Sequence, residues 1–313
     1  MSRAFVFPGQ ASQAVGMGAD LAAAFPTARE VFEEVDDALS QRLSRLMFEG
    51  PGEELTLTEN AQPAIVAVSL AVVRVLERDG GLRLAEKARF VAGHSMGEYS
   101  ALGATGALSV ADAVRLVKRR GRAMQEAVPV GEGAMAALIG LDLEAASQVA
   151  EAAAQGEVCV PANDNAPGQV VVSGHRSAVE RAVEIAADKG ARRAVMLPVS
   201  APFHCPLMAP AADVMAEALA EVTMLPPSLV LVANVTAAPV ADPETIRSLL
   251  VQQVTAMVRW RESVLRMKEE GVETLIELGA GKVLGGLIRR IDRELKAVAA
   301  GTPDEIEELV KVL

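Results

Sequence analysis

Two cysteines in 313 residues, Cys159 and Cys205, are too few for a disulfide framework or a zinc site, which suits a reducing compartment. Histidine is scarcer still in proportion to its uses. His94, His175 and His204 are the only imidazoles, so a reaction that needs one has three candidates. No run approaches the ~20 apolar residues that cross a bilayer. The first residues, Met1 to Phe5, lead straight into a strand-like segment without the n-, h- and c-regions of a signal peptide. A cytoplasmic protein with no membrane partner is therefore expected. Positive charge is also short: 30 Lys and Arg against 41 Asp and Glu leave −11, which argues against a nucleic-acid surface. What the chain has in quantity is apolar. Hydrophobic residues make up 51% and mean hydropathy is +0.27, enough at this length to bury a sizeable core in one large domain or two.

The chain is organised around Arg89 to Tyr99. Phe90 to Ala92 reads as the end of a buried strand, Gly93-His94-Ser95-Met96-Gly97 fits G-x-S-x-G, and Glu98 to Leu102 begins a helical pattern. Strand, tight turn and helix are the context of a nucleophile elbow, where side chains at the two glycine positions would clash with neighbouring backbone. Ser95 would then sit exposed on the turn with the positive end of the helix dipole behind it. The same pattern also fits an ordinary strand-to-helix turn with a capping serine.

Before the elbow, Arg3 to Phe7 is a strand stopped by Pro8-Gly9-Gln10, which leaves the Gln10 N–H free to face a ligand. Arg29 to Leu43 has helical spacing, and Pro63 to Leu76 reads as a buried helix beneath the elbow. After it, Ser109 opens a helix from about Ala111 to Val128. Val114, Val117, Gly121, Met124 and Val128 form its buried stripe, and Arg120 lies roughly 70° from the stripe's centre, at the edge of the buried face. That position suits a snorkelling arginine or a guanidinium facing a cleft. Pro129 to Gly133 breaks the pattern. From there to Leu197 the order is β-α-β-β-α-β, with strands at 134–139, 158–160, 169–172 and 194–199 and helices at 143–154 and 177–187. Asn163 to Gly168 reads as the loop joining the two middle strands. The expected class is α/β: a core of residues 1–128 and 198–313 built on a parallel sheet, with a ferredoxin-like unit inserted at 129–197. A helix at 208–222, a strand at 229–235, a helix at 243–254 and a strand at 274–278 complete the expected core. Gly279-Ala280-Gly281-Lys282 misses the dinucleotide fingerprint and reads as a close packing turn.

A serine hydroxyl needs a base. His94 adjoins Ser95 on a tight turn, where successive side chains diverge, and His175 reads as a surface turn residue. His204 follows the serine in chain order, on a loop that Pro198, Pro202 and Pro206 are expected to hold stiff and extended. It is the favoured base by elimination. Cys205 beside it would point to the opposite side.

These stretches resemble, in one order and over residues 3 to about 290, the bacterial malonyl-CoA:acyl carrier protein transacylases. Phe5-Val6-Phe7-Pro8-Gly9-Gln10, Gly93 to Leu102, Arg120-Gly121-Arg122-Ala123-Met124-Gln125 and Asn165 to Val171 carry the likeness. So do Pro198 to Met208, Asn234-Val235-Thr236 and Gly281-Lys282-Val283-Leu284. The resemblance implies an α/β-hydrolase-like core with a ferredoxin-like insert. Ser95 would be the acyl-accepting nucleophile and His204 the base, oriented by a main-chain carbonyl that alignment to Trp260 places at Gln253. The N–H groups of Gln10 and Met96 would form an oxyanion hole, Arg120 would bind the malonyl carboxylate, and Asn165 would join the substrate-binding residues. Three departures stand out: Met96 replaces leucine, Phe203 replaces serine before the histidine, and 254–259 diverges.

The implied reaction is ping-pong transfer of malonyl from malonyl-CoA, through Ser95, to the phosphopantetheine thiol of acyl carrier protein in fatty-acid synthesis, by a monomer without metal or redox cofactor. A serine esterase or thioesterase, a malonyl transferase of a polyketide pathway, and a non-catalytic docking subunit of a carrier complex are the other readings. A histidine base would normally make activity fall with pH between about 5 and 8. Carrier proteins are acidic, so a chain at −11 needs a local basic patch, for which Arg192, Arg193, Arg289 and Arg290 are candidates.

Overall fold

The computed structural model describes residues 2–313. Among the described residues ten strands form two sheets. They are β1 (Arg3–Phe7), β2 (Phe90–Gly93), β3 (Gly133–Ile139), β4 (Cys159–Ala166) and β5 (Gln169–His175), followed by β6 (Arg193–Met196), β7 (Val230–Ala233), β8 (Ala238–Val240), β9 (Thr274–Leu278) and β10 (Lys296–Ala300). The larger sheet has the order β10-β9-β1-β2-β7-β8 and is parallel except for β8, which runs antiparallel to β7. Ala4 to Phe7 of β1 are fully buried, because a central parallel strand is covered on both faces and is built from a continuous apolar run. The register pairs Phe7 with Gly93, so the loops after β1 and β2 leave the sheet side by side.

The smaller sheet, order β4-β5-β3-β6, is wholly antiparallel. Ala134, Ala136 and Leu138 on one face of β3 pack against the helices Leu143–Ala154 and Arg176–Asp188. Met135 on the other face joins the main core, the two-residue alternation of a strand covered on both sides. The β-α-β-β-α-β order therefore holds, with one difference at its centre. Asn163 to Ala166 belong to β4, and the turn is Pro167-Gly168. Polar residues remain in a strand there because its outer edge is also bonded: Asp164 N–H donates to Val258 O at 3.0 Å, and Arg261 grips the Asp164 carboxylate. The last strand stops at Met196, short of Pro198.

The main core centres on the helix Thr58–Arg78. Its length and hydropathy would suffice to cross a bilayer, but 89% of the apolar window is buried inside the protein. The acidic helix expected at 29–43 runs Pro26–Leu39 and ends at Ser40, whose φ of 48° breaks the helix. The helix expected at 111–128 runs Val110–Ala127, with Ser109 Oγ accepting from Asp112 N–H at 3.0 Å. Gly121 fits that helix onto the start of Thr58–Arg78, since a Cβ there would stand 2.6 Å from Thr58 O. The close crossing carries Arg120 toward the elbow.

Candidate active site

Ser95 follows β2 with φ of 52°, a strained left-handed conformation for a residue with a Cβ. Both flanking glycines are enforced by contact. A Cβ on Gly93 would meet Gly97 C at 1.9 Å, and one on Gly97 would meet Phe7 O at 2.4 Å. The Ser95 N–H is held by Asn234 Oδ1 at 2.8 Å, from the end of β7, and Asn234 Nδ2 donates to Gly93 O at 2.7 Å. The turn is thus pinned from the neighbouring strand, and the helix Gly97–Ala104 behind it is almost wholly buried.

Ser95 Oγ lies 2.8 Å from His204 Nε2, and His204 Nδ1 lies 2.8 Å from the Gln253 main-chain oxygen. The carbonyl can only accept, so Nδ1 carries the hydrogen and Nε2 is left as the acceptor for the serine proton. His204 is 4% exposed. Burial, together with the Arg120 charge, pushes its pKa down to about 3, against the pull of the Gln253 carbonyl. The imidazole is therefore neutral across the whole range in which an ordinary histidine titrates, so the expected loss of activity between about pH 5 and 8 moves to lower pH. The loop also differs from expectation: His204 has φ of 58° and sits on a tight turn, not an extended segment. Cys205 is buried, with its thiol bonded to Pro202 O at 3.1 Å, and takes no part.

Arg120 is 1% exposed, deeper than its place at the edge of the helix stripe suggested. Partners from other elements make this burial tolerable. Nη1 donates to Gln62 Oε1 at 3.0 Å, and Nη2 donates to Gln253 Oε1 at 3.0 Å and Ser95 Oγ at 3.1 Å. Nε has no partner among the described residues. Among the described residues no carboxylate bonds the guanidinium, and Glu98 acts on it only through space, so a charged donor faces the serine with capacity to spare. Among the described residues the N–H groups of Met96 and Gln10 likewise have no partner, and Gln10 is held through its side chain to Thr58 Oγ1 at 3.3 Å.

Asn165 stands apart from this group. Its Oδ1 bonds His94 Nε2 at 2.8 Å, and the His94 ring is tilted on Trp260 with centroids 5.6 Å apart. Asn165 meets neither Ser95 nor Arg120, and His94 is turned away from the serine hydroxyl. His175 lies on the small sheet, where its Nδ1 accepts from Val158 N–H. Three residues without an expected role enter the site: Gln62, Asn234 and Glu98. Glu98 and Asn234 lie inside motifs singled out above, but nothing in their spacing says that they turn inward. A concavity of about 620 Å³ lined by Leu70, Val73, Thr105, Leu108 and Leu225 contains none of these groups and lies elsewhere on the main core.

The site is thus a strained serine, a neutral buried histidine held by a carbonyl, and a buried cation, an arrangement suited to acyl transfer to and from a hydroxyl. The family model for the acyl transferase domain matches residues 4–311. The chain belongs to this family. The malonyl CoA-acyl carrier protein transacylase of Escherichia coli K12 is 50% identical over 300 residues, covering 96% of each chain. The crystal structure of an acyl-carrier-protein-S-malonyltransferase from Bartonella henselae is 57% identical with a TM-score of 0.97, covering 100% of this chain and 99% of that one. A type II polyketide acyl-carrier protein in complex with its malonyl-transacylase offers another likeness. The matched chain of that complex is 44% identical with a TM-score of 0.96, covering 100% of each chain.

Proposed function

We propose that the protein transfers malonyl from malonyl-CoA to the phosphopantetheine thiol of acyl carrier protein, through a malonyl-Ser95 intermediate, in fatty-acid synthesis. His204 Nε2 takes the Ser95 proton as Oγ attacks the thioester carbonyl. The N–H groups of Met96 and Gln10 receive the oxyanion, and CoA leaves with the proton returned from His204. The carrier thiol repeats the sequence in reverse, regenerating Ser95. A carbonyl suffices to orient the base because the imidazole needs its tautomer fixed, not a permanent negative partner. Asn165 acts at one remove, by fixing His94 behind the elbow. We assign residues 1–128 and 198–313 to an α/β-hydrolase-like core and 129–197 to a ferredoxin-like insert. The antiparallel order β4-β5-β3-β6 supports this division.

The observation that carries the reading is Arg120 beside Ser95 Oγ with no carboxylate bonded to it among the described residues, since a simple ester would give a buried cation nothing to bind. Intact-mass measurement after brief exposure to malonyl-CoA, with peptide mapping, tests it. A malonyl adduct on Ser95 is expected, and no adduct would return the site to hydrolase chemistry.

Arg120→Ala follows from the same contact. Removing one partner of a buried charge pair costs about 2–5 kcal/mol, or roughly 30- to 5,000-fold in kcat/KM for malonyl transfer. Acetyl-CoA lacks the carboxylate, so the malonyl-to-acetyl ratio should fall with it, and Arg120→Lys should recover only part because a point charge lacks the planar fork. An unchanged ratio would mean that another residue reads the carboxylate.

The four candidate arginines for carrier docking are all exposed. Arg290 Nη1 bonds Gln169 Oε1 at 2.7 Å, Gln169 pairs with Ile139, and Ile139 pairs with Arg193, so the positions follow one end of the small sheet. Ala166, the partner of Gln169, adjoins Asn165 and so the elbow. Charge reversal at Arg193 or Arg290 should raise KM for the carrier and leave acylation by malonyl-CoA unchanged. KM values equal to wild type for every reversal would remove the patch from the carrier's path.

A further inference from the structure

Beneath Ser95 lies a carboxyl group that the transfer steps do not use. Glu98 stands in the first turn of the helix Gly97–Ala104, where an acidic side chain ordinarily faces water, yet it is 1% exposed. Its Oε1 accepts from the Asn234 backbone N–H at 2.7 Å, and its Oε2 accepts from Gln253 Nε2 at 2.5 Å. Gln253 Nε2 also donates to Ser95 O at 2.9 Å, and Asn234 Oδ1 stands 3.4 Å from it. Every group facing that nitrogen is an oxygen acceptor, so the amide has one orientation in which no two acceptors meet. That orientation turns Gln253 Oε1 toward Arg120 Nη2. On its other side the carboxyl holds Asn234, whose Oδ1 seats the Ser95 N–H.

We propose that Glu98 is the positioning residue of this site: by accepting from Gln253 Nε2 and Asn234 N–H together, it fixes the amide that aims the Arg120 guanidinium and the asparagine that seats Ser95. The inference rests on the malonyl-transfer reading and adds to it the residue that sets substrate selection from behind. Burial raises the Glu98 pKa to about 8, while the Asn234 and Gln253 donors and the Arg120 charge pull it down. Burial alone would leave the group protonated near neutral pH, but Oε1 and Oε2 each already accept from an N–H, and a proton on either would face a donor, so the contacts hold the carboxylate.

Glu98→Gln keeps the size and replaces one acceptor with an NH2. The remaining oxygen stays with the backbone donor of Asn234, which cannot turn. The new NH2 then meets the Gln253 amide, which must rotate and present its own NH2 to Arg120. Single-turnover acylation of Ser95 by malonyl-CoA and by acetyl-CoA separates this from a general loss of stability. Malonyl kcat/KM should fall about 10- to 100-fold, the worth of a hydrogen bond to a charged group. Acetyl kcat/KM should stay within about threefold, so the malonyl-to-acetyl ratio collapses. Glu98→Asp, with both acceptors set back by one methylene, should fall between, and it decides the matter if the glutamine variant does not fold. In an Arg120→Ala background Glu98→Gln should leave the ratio where it is, because no guanidinium remains to be aimed. A wild-type ratio in the folded variants, even with both rates lowered in parallel, overturns the proposal, as does a further drop without Arg120. A wild type that takes up no malonyl on Ser95 overturns both this inference and the function beneath it.

Discussion

Ser95→Ala is expected to abolish malonyl transfer and to leave the fold intact. The change removes only Oγ, the atom that would carry the acyl group between CoA and carrier. Its two bonds, to His204 Nε2 and Arg120 Nη2, are lost, but Arg120 keeps Gln62 and Gln253, and His204 keeps the Gln253 carbonyl. The turn itself does not depend on the hydroxyl, since it is pinned through the Ser95 N–H and by the close approach of Gly93 and Gly97. Each lost hydrogen bond is worth about 0.5–1.5 kcal/mol net, so the two together displace Tm by about 2–12 °C at about 2–4 °C per kcal/mol. Activity and melting temperature, measured together, therefore separate chemistry from folding. A variant that still formed a covalent malonyl adduct at another residue would show that the nucleophile lies elsewhere.

The parts of the fold legible in the sequence are those whose signal is local. β1, β2 and β9 are short continuous apolar runs because they lie in the middle of a parallel sheet, and their bounds follow from that pattern. β8 and β10 sit at the sheet edges, only partly covered, and their pattern is too weak to find. Asn163 to Ala166 has the composition of a loop but is held in β4 by a bond from Asp164 to Val258, almost a hundred positions away. The site divides in the same way. Ser95 announces itself through its two glycines, and His204 through the scarcity of histidine. The turn at His204 does not, because three prolines suggest extension while the actual φ is 58° and the ring meets the Gln253 carbonyl. A carbonyl that orients a base leaves no mark in the residue type, so Gln253 was legible only through resemblance. Arg120 reads as an edge residue from the period of its own helix. Its full burial depends on Gln62 and Gln253, which that helix does not contain. Glu98 is the extreme case: an acid in a first helical turn has a sufficient local explanation, and only the packed structure shows that it faces inward.

His204→Ala should lower kcat/KM for Ser95 acylation by about 10² to 10⁴, the usual contribution of a positioned base. A residue is expected to remain active at that level because the oxyanion donors and Arg120 are untouched. The pH dependence of the wild type is the sharper measurement. A base acts in its neutral form, and the neutral form is lost only as pH falls through the pKa of the free enzyme, which kcat/KM reports. With the His204 pKa held near 3, kcat/KM should be flat between about pH 5 and 7, where an ordinary histidine of pKa ~6.5 would already be losing up to tenfold per unit. Malonyl bound to Arg120 offsets part of the charge that depresses the imidazole, so the acid limb of kcat should lie above that of kcat/KM. Stability moves with the opposite silence. The unfolded chain takes up a proton on residue 204 as pH drops below ~6.5 while the folded chain does not. Folding free energy is therefore lost over the same window in which the rate per folded molecule is constant, and His94, also lowered by burial, adds to the loss. Replacing His204 by alanine should remove its share of that slope. An acid limb in kcat/KM near 6.5 would mean that the imidazole is hydrated and ordinary, and a carbonyl on Nδ1 would then not be enough to make it the base.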